Sequence, residues 1–116
     1  MKRGDVVMAV LPNLEGGGAN RRPVVIVQAD YFNESLRDTT VASVTSNMSL
    51  VGPPNRLHID PASPKGASSG LNHRSVVRCD RLSTIPQWGV GRKLGQLSTV
   101  QLAEVEACLK AALDLK

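Results

Sequence analysis

The chain has 116 residues, enough for one hydrophobic core and too few for two. Only Tyr31, Phe32 and Trp88 are aromatic, so the core is expected to be aliphatic, built from valines and leucines. Lys and Arg outnumber Asp and Glu by 14 to 10, a formal charge of +4, which favours an anionic partner without naming one. Cys79 and Cys108 match neither a disulfide framework nor a metal pattern, and each sits among apolar neighbours, so both are expected as reduced core thiols. Met1-Lys-Arg-Gly-Asp5 leads into only six apolar residues, which is no signal peptide, and no stretch is long enough to span a membrane. The cytoplasm is the expected compartment.

In chain order, Asp5 to Leu11 is valine-rich, closes at Pro12, and predicts a first strand. A glycine-rich loop is expected from Asn13 to Arg21. Arg22-Pro23 then leads into Val24 to Gln28, an apolar run of the length of a buried central strand. Tyr31 to Asn33 reads as a turn, Thr39 to Thr45 as an alternating third strand, and Ser46 to Pro54 as a loop with the Gly52-Pro-Pro54 breaker. Leu57 and Ile59 flank His58 in a short strand whose outer face carries the histidine. Pro61 to Asn72, rich in Ser, Pro, Gly and Ala, is expected to be the least ordered segment.

Ser75 to Asp80 is the segment that carries chemistry. In a strand Arg78 and Asp80 share one face with Val76, while Val77 and Cys79 face the core. A cation beside a carboxylate suits an anionic substrate, the arginine holding a phosphate and the carboxylate handling a proton. An ordinary surface ion pair is the plainer alternative. From Lys65 to Lys93 there are six Lys/Arg residues and one acid, Asp80, so the positive charge surrounds this strand. Leu82–Ile85 and Val90–Leu94 are weaker strands. Ser98 and Gln101 then form a capping box, with Leu97 and Leu102 as a hydrophobic staple, and a helix is predicted from Thr99 to Leu115. The whole reads as mainly β with a C-terminal helix, a small barrel forming one domain over residues 1–116.

No spacing of ligands suits a metal, so any phosphate chemistry is expected to run on side chains with no cofactor. RNA permits that, because its own 2′-OH attacks the adjacent phosphate once a base takes the proton. Lys2-Arg-Gly-Asp-Val-Val7, Arg22-Pro-Val-Val-Ile-Val27, Phe32-Asn33, Val44-Thr-Ser46, Ser75-Val-Val-Arg-Cys-Asp80, Leu82-Ser-Thr-Ile85 and Gly95-x-Leu97-Ser98 appear in one order. In that order and spacing the chain resembles the MazF/PemK toxin family, and its Val-Val-Arg-Cys-Asp string resembles the Kid/PemK branch.

The resemblance implies an SH3-like barrel, of the fold shared by MazF, PemK and CcdB toxins, acting as a homodimer. It implies a toxin of a toxin–antitoxin system that cleaves single-stranded RNA at short sequences without metal, leaving 2′,3′-cyclic phosphate and 5′-OH ends. A cognate antitoxin would hold it inactive, a disordered tail covering the RNA site. Carried over residue by residue, Arg22 and Thr45 would hold the scissile phosphate. Arg78 would stabilise the phosphorane and Asp80 would act as general base. Asn20, Arg21, Ser46, His73 and Arg81 are the accompanying candidate RNA contacts.

One departure is visible. Many members carry a Gly-x-Glu-Gln run before Arg-Pro, and the Kid branch a histidine; here Gly16-Gly-Gly-Ala-Asn20 has no ionisable side chain and Glu15 is displaced. More of the proton transfer would then fall on Asp80. Trp88 and Tyr31 are expected in the core or a dimer interface rather than stacked on bases. Two competing readings are a CcdB-like gyrase poison on the same fold and a non-cleaving RNA-binding module. The first lacks the Arg-Pro and Arg-x-Asp sites found here; the second is suggested by the stripped glycine loop.

Overall fold

The computed structural model describes residues 1–12, 17–52 and 54–116. Its strands are β1 (Asp5–Pro12), β2 (Ala19–Ile26), β3 (Asp38–Thr45), β4 (Arg56–Ile59), β5 (Ser75–Pro86) and β6 (Val90–Gln96). They form one antiparallel sheet in the order β4-β5-β3-β2-β1-β6. Two α-helices accompany it, α1 (Asp30–Ser35) and α2 (Thr99–Leu113). The fold is thus mainly β with a C-terminal helix, as the strand pattern and the capped apolar stripe predict.

Alternation along each strand builds two apolar layers. Val6, Val25, Ala42, Val44, Val77 and Cys79 point to one face and pack with Leu97, Val105 and Cys108 on and beside α2. Val7, Ala9, Leu11, Val24, Ile26, Val41 and Ile85 point to the other. Both layers are buried, which is why β1 and the Val24–Ile26 end of β2 read as continuous apolar runs. Cys79 and Cys108 are free thiols within the first layer, as expected.

Several local expectations are corrected. Strand β2 begins at Ala19, so Asn20 and Arg21 stand in a strand paired to β1 and not in a loop. Tyr31–Asn33 lies in α1, where Asn33 is buried and accepts from the Thr39 hydroxyl at 2.7 Å, tying the helix to β3. The stretch 61–72 is anchored rather than loose. Ser63 Oγ donates to Asp60 O at 2.6 Å, Ser68 Oγ donates to Gln96 O at 2.7 Å, and Ser69 is buried. Small residues there allow backbone to meet backbone: a Cβ on Gly70 would lie 1.9 Å from Leu94 O. Helix α2 ends two residues early, at Leu113, because Asp114 turns left-handed with φ 55° and Leu115 N–H closes back on Lys110 O at 2.8 Å. Its N-terminus is held by Ser98 Oγ, which accepts from Gln101 N–H at 3.2 Å, but the Gln101 side chain donates to Glu104 instead of completing the box.

Two irregularities shape the site. Strand β5 pairs Leu82 with Ala42 and then Arg78 with Ser43, so residues 79–81 have no counterpart on β3. This bulge turns the strand and sends Asp80 and Arg81 outward. The β2–β3 ladder ends at Val24↔Ser43, next to Pro23, which has no N–H to extend it. The same register carried two residues further sets Arg22 against Thr45 where the strands part.

Candidate active site

At that parting lies a cavity of about 340 Å³ lined by Leu11, Arg22, Ser43, Thr45, Leu50, Arg78, Arg81 and Ser83, among others. Register explains the grouping. Val24 pairs with Ser43 and Ser43 with Arg78, so Arg22, Thr45 and Arg78 share the sheet face that carries Val24 and Val41 deeper in. A second hollow of about 480 Å³ adjoins it, sharing Arg22, Val44 and Thr45 and adding Ser46, Asn72, His73 and Arg92. Neither lining contains an acidic residue among those described, and both contain arginines. Thr45 is prepared to donate: its Oγ1 already accepts from Asn47 N–H at 3.1 Å, which leaves the hydroxyl proton for another acceptor.

Asp80 stands behind this lining in a network of guanidinium groups. Its Oδ2 accepts from Arg78 Nη2 at 2.9 Å and its Oδ1 from Arg78 Nε at 3.2 Å. Arg56, opposite Arg78 on β4, donates to the same Oδ2 from Nε at 3.1 Å and Nη2 at 3.0 Å. Hydrogen bonds from Arg78 foremost, with those from Arg56 adding, hold the Asp80 carboxyl at a pKa of about 2 against the opposing effect of burial. The Arg78 and Asp80 side chains are 15% and 20% exposed, so the pair is more sheltered than a typical surface ion pair.

The structure brings Arg22, Thr45, Ser46, Arg78, Arg81 and His73 to the two hollows and reaches Asp80 through Arg78. Arg21 and Asn20 line neither. Arg21 points to the face opposite Arg22, with its guanidinium over Gly91 of β6. Glu15 and Gly16 lie outside the described residues. His58 is half-buried, its Nε2 away from solvent and without a hydrogen-bond partner among the described residues. Trp88 and Tyr31 are not in the core: they are 87% and 74% exposed. Sequence reasoning missed Arg56, Leu50 and Ser43. No local signal marks Arg56, since its importance comes from facing Arg78 across two strands.

A curled antiparallel sheet backed by a C-terminal helix, with arginines and a threonine around a cavity that no described acid lines, defines a small-barrel protein with a cationic pocket. The family model for the "PemK-like, MazF-like toxin of type II toxin-antitoxin system" matches residues 2–113. An endoribonuclease MazF3 of Mycobacterium tuberculosis is 33% identical over 94 residues, covering 81% of this chain and 84% of that protein. An endoribonuclease MazF of Staphylococcus saprophyticus is 30% identical over 118 residues, covering 99% and 92%. Among solved structures, the Mycobacterium tuberculosis toxin MazF-mt6 superposes with a TM-score of 0.72 at 29% identity, covering 95% of this chain and 98% of that one. An endoribonuclease from a mycobacterial species, solved in complex with its cognate antitoxin, shares the fold at a TM-score of 0.79 and 20% identity, covering 100% and 97%. The chain belongs to the PemK-like, MazF-like toxin family of type II toxin–antitoxin systems.

Proposed function

We propose that the cavity bounded by Arg22, Thr45 and Arg78 is where this chain, an endoribonuclease toxin, cleaves single-stranded RNA at short sequences. The observation that carries the reading is the convergence of these three side chains, from three different strands, on one cavity. Two guanidinium groups and a hydroxyl donor suit a phosphate whose charge grows as a phosphorane forms, the kind of stabilisation that supplies much of an enzyme's rate. The substrate's 2′-oxygen attacks phosphorus, the bond to the 5′-oxygen breaks, and a 2′,3′-cyclic phosphate and a 5′-OH remain. No step requires a metal.

A carboxyl at a pKa of about 2 is a weak base. When the scissile phosphate shares the Arg78 guanidinium, the hydrogen bonds that depress Asp80 most weaken and its affinity for a proton rises, while Arg56 keeps the carboxylate in place. Asp80 then accepts the 2′-OH proton, and the leaving 5′-oxygen takes a proton from solvent. Ser46, His73 and Arg81 contact flanking nucleotides, and Arg92 joins them from the second hollow. Asn20 and Arg21, set away from both hollows, contact RNA only where it continues beyond them.

The functional unit is a homodimer of this one domain, residues 1–116, acting in the cytoplasm, and a cognate antitoxin blocks the cationic cavity. Among the described residues no helix is long and apolar enough to cross a membrane.

The test is incubation of purified protein with a long mixed-sequence RNA in EDTA, mapping the new 5′ ends, with Arg78→Ala in parallel. Discrete cuts with 5′-OH ends, reduced about 10²–10³-fold in the variant, are expected. Intact RNA from folded, antitoxin-free protein would refute the reading and turn attention to a protein target.

A further inference from the structure

We propose that Arg56 is a positioning residue for RNA cleavage, acting through Asp80 to fix the Arg78 guanidinium at the cavity wall; this rests on the reading of that cavity as the cleavage site. Arg56 and Arg78 are direct partners in the β4–β5 ladder. Like charges directly opposite one another destabilise a strand pair, so this placement requires a compensating group. The β5 bulge supplies it, bringing Asp80 to where one carboxylate meets both guanidiniums. Each arginine contributes its Nε and Nη2, at 3.1 and 3.0 Å from Arg56 and at 3.2 and 2.9 Å from Arg78.

The bridge has a structural consequence. Asp80 lies in the unpaired bulge, where no β3 ladder holds its backbone, so its side chain depends on partners for a fixed orientation. Arg78 reaches it only from two residues away on the same strand. Arg56 reaches it from a different strand, and its Nη1 also donates to Leu50 O at 3.4 Å, in the short turn Met48–Leu50 that contributes Leu50 to the cavity. Arg56 therefore ties the carboxylate to two other pieces of the framework, while lining neither hollow itself. With Arg56 in place, Arg78 can turn a face to a phosphate without leaving Asp80 uncompensated.

An exposed ion pair would contribute little, but here Arg78 forks onto both carboxylate oxygens, Arg56 places two donors on Oδ2, and the three side chains are 15–30% exposed. Arginine is suited to the task, since its planar fork engages a carboxylate through two donors, which a lysine does not reproduce.

Steady-state cleavage of a short RNA containing one cut site should be compared for wild type, Arg56→Gln, Arg56→Lys, Asp80→Asn and the Arg56→Gln/Asp80→Asn double variant. Misplacing a reacting group by about 1 Å costs about 10²-fold in rate, so Arg56→Gln should lower kcat about 10- to 100-fold with KM changed less than about threefold. Arg56→Lys should fall between, and it supplies the reading if Arg56→Gln does not fold. In the Asp80→Asn background, adding Arg56→Gln should change kcat by less than about twofold, because the intermediary is already gone. A kcat within about twofold of wild type, a loss confined to KM, or an undiminished further loss in the double variant would each overturn the proposal. The first means no role, the second a direct RNA contact, the third an independent action.

A readout without RNA separates this idea from the functional one. The Arg78 Nε–Hε resonance of the free protein should shift and broaden in Arg56→Gln. If wild type cleaves no RNA yet that resonance responds, the cleavage reading fails and the positioning stands. If it does not respond, the positioning fails whatever the activity.

Discussion

Replacing Asp80 by Asn tests the electrostatics of the site through stability, independently of any substrate. The carboxyl drops from an ordinary 3.8 to about 2 on folding. Taken at face value that difference corresponds to about 2.4 kcal/mol. The site is partly open, with the Asp80 side chain 20% exposed and that of Arg56 30%, so solvent screening brings the expectation nearer about 1–2 kcal/mol. The sign follows from the depressed value. A group that binds its proton less tightly when folded stabilises the fold above its unfolded pKa, and the contribution is lost as pH falls through the folded one. Urea unfolding of wild type and Asp80→Asn should therefore differ by about 1–2 kcal/mol at pH 7. Less than about half of that gap should remain at pH 2.5, because the native carboxyl is by then close to its own titration point. Other carboxyl groups titrate in both proteins and cancel in the comparison. A gap that stays constant down to pH 2.5 would mean that Asp80 acts through packing or amide geometry, and the account of a carboxylate bridging two arginines would fail.

Other outcomes are accessible with standard measurements. Gly70→Ala places a Cβ 1.9 Å from Leu94 O at a residue with φ 72°, and should cost about 2–4 kcal/mol in urea unfolding from clash and left-handed strain. Because Gly70 and Leu94 both line the second hollow, the same variant should raise KM for RNA more than it lowers kcat. Burial, followed by the neighbouring Cys108, pushes the Cys79 thiol up to about 12, so it should resist a thiol reagent at pH 8 in the native protein and react only on unfolding. Rapid labelling of Cys79 under native conditions would show that the α2–β5 packing opens far more readily than its burial allows.

How much was legible in the sequence depended on how local the cause was. The valine run of β1, the proximity of Arg78 and Asp80 two residues apart, and the Ser98 cap of α2 depend on residues within a turn or a few strand positions. Their chemistry is the same whatever the rest of the chain does, and all three stand as read. The motif set likewise placed Arg22, Thr45 and Arg78 among the site residues, and the structure gathers them around one cavity.

What only the tertiary structure decided involves pairings between distant segments. The order β5-β3-β2 is what puts Arg78, Thr45 and Arg22 side by side, and it is chosen by burying two apolar layers at once, which no single segment specifies. Arg56 became visible only when β4 paired with β5 in a register that sets it against Arg78. The composition of 61–72 suggested looseness, but the same small residues let its backbone pack against β6 and hold Asn72 and His73 at the second hollow. Tyr31 and Trp88 were expected in the core or a dimer interface, and the aliphatic layers of the single chain fill without them. Local chemistry chose most of the elements and the candidate site residues. The register between strands decided which of those groups meet, because register is set by hydrogen bonds and burial across the whole sheet.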